Sequence, residues 1–168
     1  MNAYILCGGE SRRMGEPKAL LSFRGMPMAE HIAEIAREAG FSPFFIVKSS
    51  QHFQLRFPVL VDQEEKTHPL SGILRAMEHC SESLFLILPC DTPYLTSASL
   101  SHFKKCRTPA IAIHTHRHPL IGLYATTDKE RAQKMLSADR SMKFYSKDFH
   151  GVFFPQEELH NCNRPEDL

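Results

Sequence analysis

The sequence lacks the features that mark several large classes of protein. Lysine and arginine number 20 and aspartate and glutamate 19, so the formal net charge is only +1. A general nucleic-acid binder needs a large basic excess, so this balance argues against nucleic acid as a partner. No apolar run approaches the ~20 residues of a membrane-spanning helix, and no basic segment precedes a long apolar one as in a signal peptide. We therefore expect a cytoplasmic protein with no membrane partner.

Patterns typical of structural metals and disulfides are also missing. The 5 cysteines form no C-x-x-C pair and their number is odd, which favours reduced thiols and gives zinc little support. Three histidines alternate at His114, His116 and His118. Neutral imidazoles are good metal ligands, but we interpret this set as exposed strand or loop histidines.

Two standard nucleotide-binding motifs are absent, although a related loop is present. Lys18 is followed by alanine instead of serine or threonine, and no G-x-G-x-x-G occurs, which excludes a Walker A loop and a dinucleotide fingerprint. Instead, the apolar run 3–7 leads into a pair of glycines and a basic cluster, Gly8-Gly9 with Arg12, Arg13 and Lys18. Glycines let backbone N–H groups approach an anion, and the basic side chains suit phosphate. This loop indicates nucleotide chemistry.

Apolar segments with strand and helix spacing alternate along the chain, and they predict a mostly parallel sheet covered on both faces. Strands are predicted at 3–7, 44–47, 59–61, 84–88, 110–113 and 120–125, and helices at 28–39, 70–80, 97–104 and after Asp128, which we expect to cap its helix. At 168 residues, one domain spanning 1–168 is the default. Because ligands bind beyond the carboxyl ends of parallel strands, we expect Gly8 and Asp91 to share one crevice.

Five spaced segments carry a more specific signal. They are L-C-G-G-E-S-R-R-M-G-E-P-K at 6–18, H-P-L-S-G at 68–72, L-P-C-D-T-P-Y-L at 88–95, H-P-L-I-G-L at 118–123 and N-C-N-R-P-E-D-L at 161–168. From end to end the chain resembles nucleotidyltransferases with a GT-A-like fold, in particular the molybdenum cofactor guanylyltransferases of the MobA branch. The resemblance implies a three-layer Rossmann-like α/β fold.

The resemblance also implies roles for individual residues. The residues expected to bind nucleotide are Leu6, Cys7, Gly8, Gly9, Ser11, Lys18, Lys48, Asp62, Gly72 and Asp91. Those expected to act in catalysis are Arg13, Lys18 and Asp91, with Asp91 holding Mg²⁺ or alternatively Mn²⁺. Those expected on the pterin side are His118, Asn161 and Asn163. Two positions depart from the family pattern, because Lys48 lies where a member carries asparagine and His68 replaces a glycine.

The function implied by the resemblance is transfer of GMP from GTP to molybdopterin, with release of pyrophosphate. The implied partners are GTP, molybdopterin, and the proteins that deliver the cofactor and accept it as molybdoenzymes. Two alternatives stay open at this point. One is another nucleotidyltransferase of the same fold, acting with cytidine nucleotides or on a sugar or alditol phosphate. The other is a noncatalytic homologue that binds nucleotide or cofactor.

Overall fold

The computed structural model describes residues 1–8, 17–64, 67–106, 109–162 and 167. Its strands are β1 (Asn2–Leu6), β2 (Ser22–Phe23), β3 (Met26–Pro27), β4 (Ser42–Lys48), β5 (Val59–Asp62), β6 (Leu84–Pro89), β7 (Ala110–Ile113), β8 (Arg117–Ala125) and β9 (His150–Phe153). Its α-helices are α1 (Met28–Glu38), α2 (Pro69–His79), α3 (Ser97–Ser101), α4 (Lys129–Ser137) and α5 (Met142–Tyr145). Short 3-10 turns lie at Lys18–Leu20, His102–Lys105, Thr126–Asp128 and Gln156–Leu159. None of the described helices is long and apolar enough to cross a membrane.

Seven strands form one sheet in the order β5-β4-β1-β6-β8-β7-β9. β6 is the central strand; β1 pairs in parallel with β4 and β6, and β4 pairs in parallel with β5. β8 runs antiparallel to both β6 and β7, while β9 returns parallel to β7. The predicted mostly parallel sheet is confirmed, and β2 and β3 form a separate two-stranded ribbon.

Helices cover both faces of the sheet, as the alternating pattern predicts. On one face α1 packs with Ile5, Phe45 and Leu88, and on the other α2, α4 and α5 pack with Tyr4 and Ile87. Neighbouring strand residues point to opposite faces, so each central strand supplies side chains to both cores. β1 and β6 therefore read as continuous apolar runs because neither face meets water.

Local sequence explains where the main helices start and stop. Pro27 precedes α1, and Gly40 follows it with φ of +78°, a conformation that glycine adopts without steric cost. His68 caps α2, because its Nδ1 accepts a hydrogen bond of 3.1 Å from the backbone N–H of Leu70, and Pro69 occupies the first helical position.

Several details differ from the sequence-based expectations, and β2, β3, β9 and α5 have no counterpart among the predicted elements. Asp128 precedes α4 but forms no capping hydrogen bond; its carboxylate lies instead 3.4 Å from the Tyr145 hydroxyl and 3.6 Å from Arg131. β8 begins at Arg117, three residues earlier than predicted, because it forms a hairpin with β7. The helix predicted at 97–104 is an α-helix only to Ser101 and then a 3-10 turn.

Gly122 lies on β8 where this strand packs closely between β6 and β7. It pairs with Ile87 on one side and Ile111 on the other, and an added Cβ would lie 2.6 Å from the Ala110 carbonyl oxygen. We expect Gly122→Ala to lower the free energy of unfolding by about 1–3 kcal/mol, because backbone cannot move away as a flexible side chain can. Urea denaturation measures the loss.

Gly25→Asn is the control, because a Cβ there meets nothing within 4 Å and its φ of +83° is one that asparagine tolerates. A Gly122→Ala variant as stable as this control would contradict the packing argument.

Candidate active site

A cavity of about 650 Å³ opens at the carboxyl ends of β1, β4 and β6. Its volume lies within the ~300–1,000 Å³ typical of small-molecule sites. Ten of the sequence-predicted site residues line it: Leu6, Cys7, Gly8, Lys18, Lys48, Asp62, Gly72, Asp91, His118 and Asn161. The other four, Gly9, Ser11, Arg13 and Asn163, lie outside the described residues. The fold thus brings every described candidate to one place.

Lys18 and Asp91 face each other across the ends of neighbouring strands. Asp91 follows β6 and Lys18 lies on the 3-10 turn after the first loop, with Nζ 3.5 Å from the Asp91 Oδ2. Burial raises the pKa of the Asp91 carboxyl above its ordinary value, and the Lys18 ammonium opposes that rise. Among the described residues Lys18 is the one cation paired with this buried carboxylate, which is therefore suited to further positive charge, such as a metal ion.

The C-terminal segment is fastened to the same strand end. The backbone N–H of Cys162 donates a 2.8 Å hydrogen bond to the carbonyl oxygen of Asp91. This bond places Asn161 at the cavity, although it lies 70 positions after Asp91 in the chain. One backbone contact therefore brings these two motifs together.

Lys48 and Asp62 form a buried ion pair on β4 and β5, on the other side of β1 from Asp91. The Lys48 Nζ lies 2.7 Å from Asp62 Oδ2, and their side chains are only 17% and 6% exposed. Lys48 Nζ also donates to the Glu64 carbonyl oxygen at 2.9 Å and to Ser71 Oγ at 3.0 Å. Ser71 Oγ donates in turn to Asp62 Oδ2 at 2.7 Å, and the Glu64 N–H donates to Asp62 Oδ1 at 3.0 Å. Both oxygens of Asp62 thus already accept hydrogen bonds from the protein.

Two glycines allow the cavity walls to approach each other. A Cβ at Gly72 would lie 2.9 Å from Leu6 Cδ2, and a Cβ at Gly8 would lie 3.3 Å from Lys48 Cγ. Gly72 therefore lets α2 pack closely on β1, and Gly8 leaves room for the stem of Lys48. These contacts explain why glycine suits both positions without any reference to a ligand.

The remaining wall combines cations with uncharged polar groups. Arg117, His118, Ser141 and Lys143 line it. Burial, and then the nearby His116 and His114, lower the pKa of His118 below its ordinary value, so its imidazole is neutral near pH 7. Among the described residues, no cluster of three histidine, cysteine, aspartate or glutamate side chains can hold a metal ion. Of the three alternating histidines only His116 is exposed as predicted, because His114 and His118 are half-buried.

The cysteines at the cavity carry no evident chemistry. All five cysteines are free, as predicted. A hydrogen bond with Cys90, followed by burial, raises the pKa of the Cys7 thiol well above its ordinary value. Because thiolate is the nucleophilic form, a protonated Cys7 is a packing residue rather than a reactive one.

Among the polar cavity residues that sequence analysis missed are Ser71, Arg117 and Lys143. Ser71 lies within the quoted H-P-L-S-G segment and Arg117 adjoins His118, so both were close to recognised motifs but were given no role. Lys143 lies in a segment without a motif, and only the packing of α5 beside β8 brings it to the site.

Comparison with known proteins identifies the family. Residues 3–152 match the model of the MobA-like NTP transferase domain. The chain belongs to this family. Its Lys18 and Asp91 are accordingly part of a nucleotidyltransferase, and the cavity is the candidate active site of that enzyme.

Relatives and a solved structure agree with this membership. A probable molybdenum cofactor guanylyltransferase from Opitutus terrae is 31% identical over 97% of this chain and 90% of its own length. A protein of the same name from Flavobacterium johnsoniae is 28% identical over 100% of this chain and 94% of its own length. The solved structure of molybdopterin-guanine dinucleotide biosynthesis protein A from Archaeoglobus fulgidus superposes with a TM-score of 0.77. The match covers 99% of this chain and 94% of that one, at 20% sequence identity. At that identity the structure supports the fold alone.

The Lys48–Asp62 pair predicts a large stability loss when one partner is removed. Lys48→Met leaves a buried carboxylate without its cation, and we expect a loss of roughly 2–4 kcal/mol in the free energy of unfolding. The double variant Lys48→Met with Asp62→Asn should recover part of this loss, because the unpaired charge is gone. Urea denaturation of both variants measures the difference.

Lys129→Met serves as the matched control. Lys129 pairs with Glu78 at 3.5 Å, but the two side chains are 42% and 46% exposed, so a loss below about 1 kcal/mol is expected. Equal losses for Lys48→Met and Lys129→Met would show that burial does not strengthen the inner pair.

The raised pKa of Asp91 predicts a stability gain when its charge is removed. Between the ordinary pKa of 3.8 and the raised one, the folded protein binds more protons than the unfolded chain, so stability falls as pH rises through this window. The penalty persists at neutral pH. We therefore expect Asp91→Asn to melt at a higher temperature than wild type at pH 7, with the difference shrinking below pH 4.

Thermal melts of the metal-free protein at several pH values measure this effect, with the exposed Asp148→Asn as control. A lower melting temperature for Asp91→Asn at pH 7 would mean that the Lys18 contact outweighs the cost of burial.

Proposed function

We propose that this enzyme transfers GMP from GTP to molybdopterin, releasing pyrophosphate and forming a guanine dinucleotide of the cofactor. The observation that carries the proposal is the meeting of Lys18 and Asp91 with His118 and Asn161 around one cavity. The first pair suits a polyphosphate and a metal ion, and the second supplies uncharged polar groups for a heterocycle. The names of the full-length relatives support the same choice of substrates.

The reaction needs no protein nucleophile. A terminal phosphate oxygen of the pterin attacks the α-phosphorus of GTP in line; that P–O bond forms while the bond to the β-phosphate breaks, and pyrophosphate leaves with the bonding electrons. Positioning and electrostatic stabilisation can supply such catalysis. Lys18, together with Arg13 and the N–H groups of Gly8 and Gly9, would offset the charge on the leaving pyrophosphate.

The donor set at Asp91 fits Mg²⁺. This ion takes hard oxygen ligands, and it commonly binds through one or two carboxylates together with waters and substrate phosphates. Asp91 supplies one such carboxylate, whereas both oxygens of Asp62 are already bonded within the protein. Asp91 would hold Mg²⁺ (or Mn²⁺), which would supply electrostatic stabilisation of the negative charge that develops on the phosphates.

The remaining site residues have different proposed roles in binding the two substrates. Leu6, Cys7 and Gly72 shape the apolar wall, while Ser11 belongs to the first loop and Asn163 to the pterin side. Lys48 and Asp62 lie where the nucleoside would sit, but their ion pair occupies the polar atoms that would otherwise meet a base. Proteins that deliver molybdopterin and receive the product are the further partners we propose.

Asp91→Ala tests the catalytic assignment. We expect pyrophosphate release from GTP, with Mg²⁺ and molybdopterin present, to fall by roughly 10²-fold or more, because the carboxylate that holds the metal is lost. Asp148→Ala, an exposed aspartate outside the cavity, should retain the wild-type rate. Unchanged turnover in Asp91→Ala would refute the catalytic role.

The choice of nucleotide is tested by comparing pyrophosphate release from GTP, CTP, ATP and UTP. Selective, pterin-dependent release from GTP supports the proposal. Selective release from CTP or UTP would reassign the substrate while keeping the chemistry. No release with an intact pterin would favour another acceptor or a noncatalytic binding role.

A further inference from the structure

The charges that line the cavity are not evenly balanced. Only two acidic side chains belong to the described lining, Asp62 and Asp91, and each lies beside a lysine, Lys48 and Lys18. Two further cations, Arg117 and Lys143, lie at the wall formed by β8 and α5. This end of the cavity therefore carries positive charge without a carboxylate among its described lining residues.

Arg117 holds this wall in place. Its Nη2 donates hydrogen bonds to the carbonyl oxygens of Ser146 at 3.0 Å and Phe149 at 2.7 Å. These bonds connect the start of β8 to the chain just beyond α5, the helix that carries Lys143. Within the described part of the chain, the guanidinium faces no carboxylate in an ion pair, so its charge adds to that of the wall.

Lys143 is the more informative cation. Unlike Lys18 and Lys48, it has no hydrogen bond or ion pair with any described residue. Neighbouring Lys147 differs in this respect, because its ammonium group lies over the Phe144 ring, 5.2 Å from the ring centre. An ammonium group beside a cavity, with no anion among the described residues to balance it, is suited to an anionic ligand.

We infer that Lys143 binds the phosphate monoester of the acceptor, in a wall that Arg117 positions and makes more positive. The inference rests on the proposed function and names the acceptor-specific contact within it. The neutral His118 and the amide of Asn161 lie on the same cavity and add no negative charge that would repel the phosphate. The first loop and Lys18 are left for the polyphosphate of the nucleotide.

Binding without nucleotide tests this contact apart from turnover. The probe is an oxidised, fluorescent pterin derived from molybdopterin that retains its phosphate monoester, compared with the same pterin after phosphatase treatment. Wild type should bind the phosphorylated form more tightly, and Lys143→Ala should weaken that binding by roughly 10-fold with little change for the dephosphorylated form. Added salt should weaken wild-type binding more than binding to the variant.

Two further variants separate charge from structure. Lys143→Arg should retain most of the preference for the phosphorylated probe, because the positive charge is kept. Lys147→Ala, which removes a neighbouring lysine that does not line the cavity, should bind as wild type does. Loss of affinity for both probe forms in Lys143→Ala, or an unchanged preference for phosphate, would overturn the inference.

Steady-state kinetics give a second and independent outcome. If the proposed reaction occurs, Lys143→Ala should raise KM for molybdopterin by about 10-fold and leave KM for GTP within twofold. A rise confined to KM for GTP would assign this wall to the triphosphate and overturn the inference. If wild type releases no pyrophosphate but still prefers the phosphorylated pterin, the proposed reaction fails while the phosphate contact stands.

Discussion

The parallel pairing of β1 with β6 sets where the cavity lies. Because both strands run in the same direction, their carboxyl ends meet at one edge, with Leu6 opposite Pro89. Gly8 and Asp91 then follow within two residues of those ends. The pairing of β1 with β4 extends the same edge to Lys48, so one sheet edge supports most of the site.

Buried charge at this edge needs compensation, and the enzyme supplies it unequally. Asp62 receives hydrogen bonds on both carboxylate oxygens, so its charge is fully used within the protein. Asp91 has one lysine at 3.5 Å and a raised pKa, so its charge remains costly. The Asp91 carboxylate, whose burial is less fully compensated, is available for a ligand. The Asp62 carboxylate instead connects β5 to β4 and α2 through Lys48 and Ser71.

The same logic distinguishes the two ends of the cavity. At the carboxyl ends of β1, β4 and β6, the described lining charges form the pairs Lys18–Asp91 and Lys48–Asp62, so binding there must reorganise existing contacts. Near α5 the described lining contains the cations Arg117 and Lys143 and no carboxylate. A cavity with these two ends is suited to two anionic ligands that meet between them, which is what transfer of a nucleotidyl group between phosphates demands.

Much of the fold was predictable because its signals are local. Apolar runs at β1 and β6, and the helical spacing of α1, reflect burial that each segment encodes by itself. Less predictable was the antiparallel placement of β8 between β6 and β7, which depends on a hairpin closed by the turn at 114–116. The missing cap at Asp128 arises because Arg131 and Tyr145 compete for its carboxylate.

The sequence by itself determined six of the seven strands of the main sheet, four of the helices, the family, and ten cavity residues, because glycines, apolar runs and spaced motifs record local geometry. Only the tertiary structure decided how those residues are paired. Lys48 meets Asp62 and Ser71 across three elements, and Lys143 reaches the cavity because Arg117 bonds the chain beyond α5. Contacts between segments far apart in sequence depend on packing of the whole sheet, which no local pattern encodes.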